Sequence, residues 1–297
     1  MNYCFYHCVD FDGKASGAIV KKYFKDNDLA IRMVPFNYSY EIDLTQYQFG
    51  DRLIFVDVVP QPYDTLLKLQ EIVEDRLYVI DHHASFIESD THKKLSGLIP
   101  NTLVTDSRFA ACELVWNYYF PTTAIPEAIH LLGQYDSWRD RPSRKHKHDA
   151  DWENRVLPFQ FGLRHKKFVE DDFIKDFLES DNPFEVETVV STGRTVLEYQ
   201  DTQNELLMTT SFEAKIKGYN CLCVNSFLKN SRVFKSKFDP DKHDFMVAFS
   251  LKSNKKWNFS FYSESEEKDA SKLAVLFGGG GHKKAAGCIT DALIFDH

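Results

Sequence analysis

The chain has 297 residues, enough for two domains, and its 43% hydrophobic and 14% aromatic content can bury a sizeable core, so disorder is not expected. Its net charge of −8, from 44 acidic and 36 basic residues, argues against an extended basic groove for long duplex nucleic acid. A short anionic substrate is still compatible, because bound metal ions can supply local positive charge.

Residues 3–9 read as a strand, rich in aromatic and β-compatible side chains. SGAIVKKYFKDN (16–27) reads as a helix, with Ala18, Ile19, Lys22 and Tyr23 at helical spacing. IRMVPF (31–36) is a second strand and RLIFVDVV (52–59) a third, mostly apolar as buried parallel strands are. YDTLLKLQEIVED (63–75) is an amphipathic helix, and RLYVIDHH (76–83) is a fourth strand. This alternation predicts an α/β fold with a parallel sheet.

Two helices follow, over 107–120 and 123–136, and then a polar stretch, 139–154, that reads as a solvated loop. A long helix is expected from 183 to 210, with Gly193 as a soft spot within it. From residue 212 the texture changes to short strands: FEAKIKG, YNCLCVN, HDFMVAFSL and KWNFSFYS. A helix, DASKLAVLF, a glycine cluster and KAAGCIT close the chain. The expected organisation is a first domain over 1–182, a linker helix over 183–211 and a smaller α/β domain over 212–297. Six cysteines (Cys4, Cys8, Cys112, Cys221, Cys223 and Cys288) show no CxxC and no disulfide or zinc pattern, which predicts reduced thiols in a cytoplasmic protein. MNYCFYHCVD has no basic segment leading into a long apolar one, and no run is long enough to span a bilayer, so no membrane partner is expected.

The acids and histidines cluster just beyond strand ends. The first strand leads to His7, Asp10 and Asp12, the third to Asp57, and the fourth to Asp81, His82 and His83. GQYDSW adds Asp136 at a helix end. In open α/β sheets ligands gather at the carboxyl ends of the strands. So many carboxylates in one cleft repel each other strongly at low effective dielectric. Two divalent ions would relieve that repulsion, and mixed carboxylate and imidazole donors suit manganese among other metals. Each piece also has a plainer reading: Asp10 and Asp12 as helix-capping turn residues, Asp57 as a cap, His82 and His83 as a polar strand end, and Asp136 as ordinary helix termination. The joint occurrence in strand order favours the metal site. In FGGGGHKKAAG (277–287) the glycines let backbone N–H groups approach an anion, and His282, Lys283 and Lys284 add donors.

DFDGKAS (10–16), VDV (56–58), DHH (81–83) and QYDSW (134–138) resemble the motifs of the DHH-superfamily phosphoesterases. GGGGHKKAAG (278–287) resembles the signature of their smaller DHH-associated C-terminal domain, and SRFAACELVW the helix between the DHH motif and the last acidic motif. The resemblance spans nearly the whole chain. It implies two ions, usually manganese with magnesium as the alternative, and an active site in the cleft between the two domains. It places His7 and Asp10 on the first ion, Asp12, His82 and Asp136 on the second, and Asp57 on both. It makes His83 a contact to the scissile phosphate and Asp81 its orienting carboxylate. Gly279, Gly280, Gly281, His282 and Lys283 would hold a substrate phosphate.

Two departures stand out: His7 and Asp10 are one residue closer than in several relatives, and Tyr262-Ser263 stands where oligonucleotide-cleaving relatives often carry Arg-Ser. Arg232, Lys235 or Lys237 could compensate for the arginine, although they read better as solvated loop charge. Trp257, Phe259 and Phe261 could stack on a base, although core is their commoner role. The implied activity is hydrolysis of short single-stranded oligonucleotides or small nucleotides to mononucleotides, as in nanoRNases. Cyclic dinucleotide or adenosine bisphosphate cleavage is the alternative, and a regulatory nucleotide-binding module without turnover is the alternative of another class. A homodimer is compatible with all of these.

Overall fold

Five short strands, each followed by chain that returns to the same end, form the first sheet. In the computed structural model, which describes residues 1–137, 139, 151–165, 167–179, 183–227, 230–265 and 267–296, with only the backbone at His282, these are β1 (Asn2–His7), β2 (Arg32–Phe36), β3 (Arg52–Val56), β4 (Leu77–Asp81) and β5 (Leu103–Thr105). Their order is β2-β1-β3-β4-β5, and every pairing is parallel. Side chains alternate across the sheet, as the twofold strand period requires. Cys4, Tyr6, Ile54, Val56 and Ile80 point to one core, and Phe5, Leu53, Phe55, Leu77 and Val79 to the other.

The first core is covered by α1 (Phe11–Asp26), through Ala15, Ala18 and Ile19. The second is covered by α2 (Thr65–Val73), through Leu66, Leu69 and Val73. After β4 come a single turn, α3 (Ala84–Ile87), and then α4 (Asp90–Leu98), which adds Leu95 to the second core. Then α5 (Ala111–Tyr119) and α6 (Glu127–Asp136) return to the first core with Cys112, Val115, Ile129 and Leu132. The expected loop over 139–154 falls mostly outside the described residues. Its end does not: Trp152–Val156 is a π-helical turn that runs directly into α7 (Leu157–Leu163), and Trp152 is buried. A short helix, α8 (Glu170–Phe173), continues as another π-helical turn, Ile174–Leu178.

The long helix α9 runs from Pro183 to Met208. Gly193 is not a soft spot in it. A Cβ there would stand 1.7 Å from the Pro158 carbonyl oxygen, so the glycine lets α9 lie directly on α7. Chain contacts divide the protein into Met1–Leu197 and Glu198–His297, with the boundary inside α9.

The second unit holds a six-stranded mixed sheet: β6 (Phe212–Ile216), β7 (Tyr219–Asn225), β8 (Phe245–Leu251), β9 (Trp257–Tyr262), β10 (Gly280–His282) and β11 (Ala285–Thr290). The order is β10-β11-β9-β8-β7-β6, antiparallel except for β7 with β8. One face buries Phe245, Phe259 and Phe261 under α10 (Ala270–Val275), and the other buries Leu222, Val224 and Met246 with Val233 and Phe234. Phe259 and Phe261 are fully buried, so they are core and do not offer a face to a base. Arg232 is not free loop charge: it forks onto Asp201 at 2.8 and 2.6 Å. Among the described residues no helix is long and apolar enough to cross a membrane, and all six cysteines are unpaired.

Candidate metal centre

Parallel strands end on one edge of their sheet, and β1, β3 and β4 are neighbours there. His7 is the last residue of β1, Asp57 follows β3, and Asp81 ends β4 with His82 and His83 next. The helix after β1 starts at Phe11, five residues before the expected start, because Asp10 is its N-cap and accepts from the Gly13 amide at 3.0 Å. The capping role and the expected ligand position therefore fall on one residue. The early start also puts Asp12 in the first helical turn, where its side chain points into the protein and is 3% exposed.

Asp57 takes a backbone conformation that few residues other than glycine adopt, with φ at +58°. Its amide still donates to the Ile80 carbonyl at 3.0 Å, which extends the β3–β4 pairing by one residue. The turn leaves the 1% exposed carboxylate facing two histidines. Asp57 Oδ2 lies 3.4 Å from His7 Nδ1, and Asp57 Oδ1 lies 3.3 Å from His82 Nε2. His7 Nδ1 is also 2.8 Å from Asp10 Oδ2. His82 Nε2 is 3.3 Å from Asp136 Oδ2 and 3.7 Å from Asp12 Oδ2. Three trios result, each with its donor atoms within 4.8 Å of one another: His7, Asp10 and Asp57; Asp12, His82 and Asp136; and Asp57, His82 and His83.

Without cations, protons are the only countercharge. Burial alone would lower the pKa of His7, but Asp10 and Asp57 raise it to about 10. His82 is likewise raised to about 10 by Asp57, Asp12 and Asp136, against the effect of burial. Burial and a neighbouring aspartate push Asp12 and Asp136 up to about 7, and burial raises Asp57 as well. Two buried atoms at the centre of the cluster, His7 Nδ1 and Asp57 Oδ1, stand near opposite charge but without hydrogen-bond geometry. A set of carboxylate oxygens and imidazole nitrogens left in this state fits divalent cations.

His83 stands apart in kind. Its Nδ1 lies 2.8 Å from Asp81 Oδ1, and Asp81 is completely buried. Burial would lower the His83 pKa, but Asp81 raises it. With a side chain 36% exposed, His83 can meet a ligand from solvent.

The sequence reading missed three contributors. The Ala111 and Cys112 amides, at the start of α5, donate to the Asp12 carboxylate at 2.9 and 2.7 Å and fix its orientation. Tyr38, beyond β2, brings its hydroxyl to 3.2 Å from His83 Nε2. Glu113 is buried and accepts from the Ala110 amide at 3.2 Å, but with alanine at the cap position it forms no capping-box pattern in the sequence. None of the three contributors carries a signal in spacing.

In the second unit the glycine run divides into two kinds. A Cβ on Gly279 would meet the Gly287 oxygen at 2.1 Å, and one on Gly281, whose φ is +141°, would meet Ala286 Cα at 2.6 Å. Both are glycines because β10 and β11 approach closely. Gly280 is exposed, with nothing within 4 Å of a Cβ position, so its backbone faces open space. Lys283 is exposed, and Lys284 Nζ is held by the Ser265 and Glu264 carbonyls at 3.0 and 3.2 Å. The His282 side chain and Trp138 lie outside what is described.

No protein-family model matches the chain. It is 23% identical over 97% of its length to Oligoribonuclease NrnB of Bacillus subtilis, and the match spans 73% of that protein. The DHH, DFDGKAS, VDV and GGGGHKKAAG motifs stand on the elements just described. In these motifs and in its sequence likeness to an oligoribonuclease the chain is similar to the DHH-superfamily phosphoesterases. The fold of these DHH elements recurs in solved structures. A pGpG-specific phosphodiesterase of Vibrio cholerae aligns with a TM-score of 0.50 at 13% identity, over 97% of this chain and 92% of the other. RecJ of Thermus thermophilus, solved in complex with Mn2+, also aligns at 0.50, with 14% identity, over 98% of this chain and 49% of RecJ. The chain therefore spans about half the length of that RecJ.

Proposed function

We propose that the chain is a manganese-dependent phosphodiesterase that releases mononucleotides from short oligonucleotides or small nucleotides. The observation that carries this reading is the Asp57 carboxylate, which turns one oxygen to His7 and the other to His82. His7, Asp10 and Asp57 would hold one divalent ion, and Asp12, His82 and Asp136, with Asp57 shared, a second. Such ions, when bound, activate water and take up charge that builds on phosphate oxygens. Manganese suits the mixed donors, and magnesium is the alternative.

The chain's own groups do the rest. Asp81 holds His83 as a hydrogen-bond donor, and His83 steadies the scissile phosphate as its charge grows. The start of α5 keeps the Asp12 carboxylate from turning away. The backbone at Gly279, Gly280 and Gly281, with His282 and Lys283, holds a phosphate of the substrate. A short substrate accords with the acidic chain and with the names of the two similar proteins, an oligoribonuclease and a pGpG phosphodiesterase. Cleavage of cyclic dinucleotides or adenosine bisphosphate is the second reading. Six unpaired cysteines suit a reducing, cytoplasmic setting.

The test is mass spectrometry of products from a panel of RNA and DNA dinucleotides, cyclic dinucleotides, adenosine bisphosphate and pyrophosphate, each with manganese and with magnesium. Mononucleotides from a linear dinucleotide, lost in Asp57→Ala, are expected. No release from linear dinucleotides, or equal release by Asp57→Ala, contradicts the proposal.

A further inference from the structure

We infer that Glu113 is a positioning residue: a buried strut that sets the spacing of Asp12 and Asp136 and so shapes the trio they form with His82. The inference rests on reading that trio as an ion seat.

Glu113 is 2% exposed. Its Oε2 accepts from the Ala110 amide at 3.2 Å, immediately before the two amides that hold Asp12. Its Oε1 accepts from Arg139 Nη2 at 2.6 Å, three residues beyond Asp136. His130, on the helix that carries Asp136, lies 3.5 Å from the same oxygen through Nδ1. Arg139 also reaches the Arg108 carbonyl at 3.4 Å and lies 5.1 Å from the Phe109 ring centre, so it clasps the chain that leads into α5. The helices meet so closely here that a Cβ on Gly133 would stand 2.4 Å from Glu113 Cδ. One carboxylate thus ties the start of α5, which orients Asp12, to both ends of the segment that bears Asp136.

Packing alone does not call for a charge at this point. An apolar side chain of similar volume would join α5 to α6 without the cost of burying a carboxylate. The ion pair and hydrogen bonds do offset that cost: burial pushes Glu113 up, but His130 and Arg139 outweigh it and leave the group below the usual glutamate range. What the charged pair supplies, and an apolar contact does not, is direction. Groups that orient ligand side chains in this way typically govern metal affinity by about 10–100-fold.

The test is Mn2+ binding to the full-length chain, followed by titration calorimetry and by the electron paramagnetic resonance of free and bound manganese. Wild type, Glu113→Gln and Arg139→Gln are compared, and each is melted without metal. The wild type is expected to take up two ions. Glu113→Gln is expected to lose about 10–100-fold in affinity for one ion and to keep the other. Arg139→Gln, at a partly exposed site, is expected to lose affinity for the same ion by a smaller factor, with an unchanged melting temperature. Unchanged affinities in both variants overturn the strut and leave the two-ion reading standing. So does an equal weakening of both ions that merely follows a lower melting temperature. If Glu113→Gln does not fold, Arg139→Gln decides alone: a selective loss supports the strut, and unchanged binding overturns it. Failure of the wild type to bind Mn2+ overturns the ion seat, and the strut with it.

Discussion

The two sheets of this protein assemble chemistry in different ways. In the first unit all strands are parallel, so their carboxyl ends lie on one edge, and side chains from three strands and two helices converge there. In the second unit, mostly antiparallel strands send successive ends in opposite directions, and no such edge exists to collect side chains. What it offers is backbone, at a glycine-rich hairpin between β10 and β11. Side chains are therefore the sensitive elements of the first region, and the empty Cβ positions those of the second.

The contrast can be broken by substitution. The largest effect is expected from Asp57→Asn, which keeps a residue tolerant of positive φ but removes the charge that His7 and His82 share. Hydrolysis should fall by at least about 100-fold with the fold retained by circular dichroism; near-normal turnover would contradict a shared ligand. Glycines should then act differently in the two units. Gly193→Ala forces α9 off the Pro158 carbonyl and should cost about 1–3 kcal/mol in denaturant unfolding, with little change in KM. Gly280→Ala has room for its methyl group, so its melting temperature should stay put. Its KM should rise about 10-fold, the equivalent of about 1.4 kcal/mol, if a substrate phosphate rests on that backbone.

The smallest effect is in pH dependence. The folded protein holds Glu113 below its ordinary value of 4.5. A depressed carboxylate contributes stability at pH above the unfolded value, and loses it as pH falls through the folded one. On acidification below pH 4.5 the wild type should lose more stability than Glu113→Gln, measured by urea unfolding at each pH. Parallel curves for the two proteins would show that the carboxylate is not held as described.

Much of the first region was legible because strand ends and the acids and histidines beyond them share a pattern. Apolar runs that stop at His7, Asp57 and Asp81 announce both a buried strand and what stands at its tip. The short strand β5 and the helices α3 and α4 were missed, because a three-residue strand carries too few side chains to show a period. The start of α1 was misplaced, because Asp10, Asp12 and Gly13 look like a turn until Asp10 is seen capping the helix. Gly193 looked like weakness for want of its neighbour Pro158, thirty-five residues earlier in the chain. Phe259 and Phe261 alternate along β9 in a way that suits a core or a binding face equally, and only the covering helix α10 decides for core. The hold of Ala111 and Cys112 on Asp12 uses backbone amides, which leave no trace in residue type.

The most direct measurement is anomalous diffraction from crystals of the wild-type protein grown with manganese. The account predicts two peaks about 3.5–4 Å apart, one beside His7 and Asp10 and one beside Asp12, His82 and Asp136, with the Asp57 carboxylate between them. Crystals soaked to saturation that show no manganese at Asp57, or manganese bound only elsewhere on the chain, would contradict it.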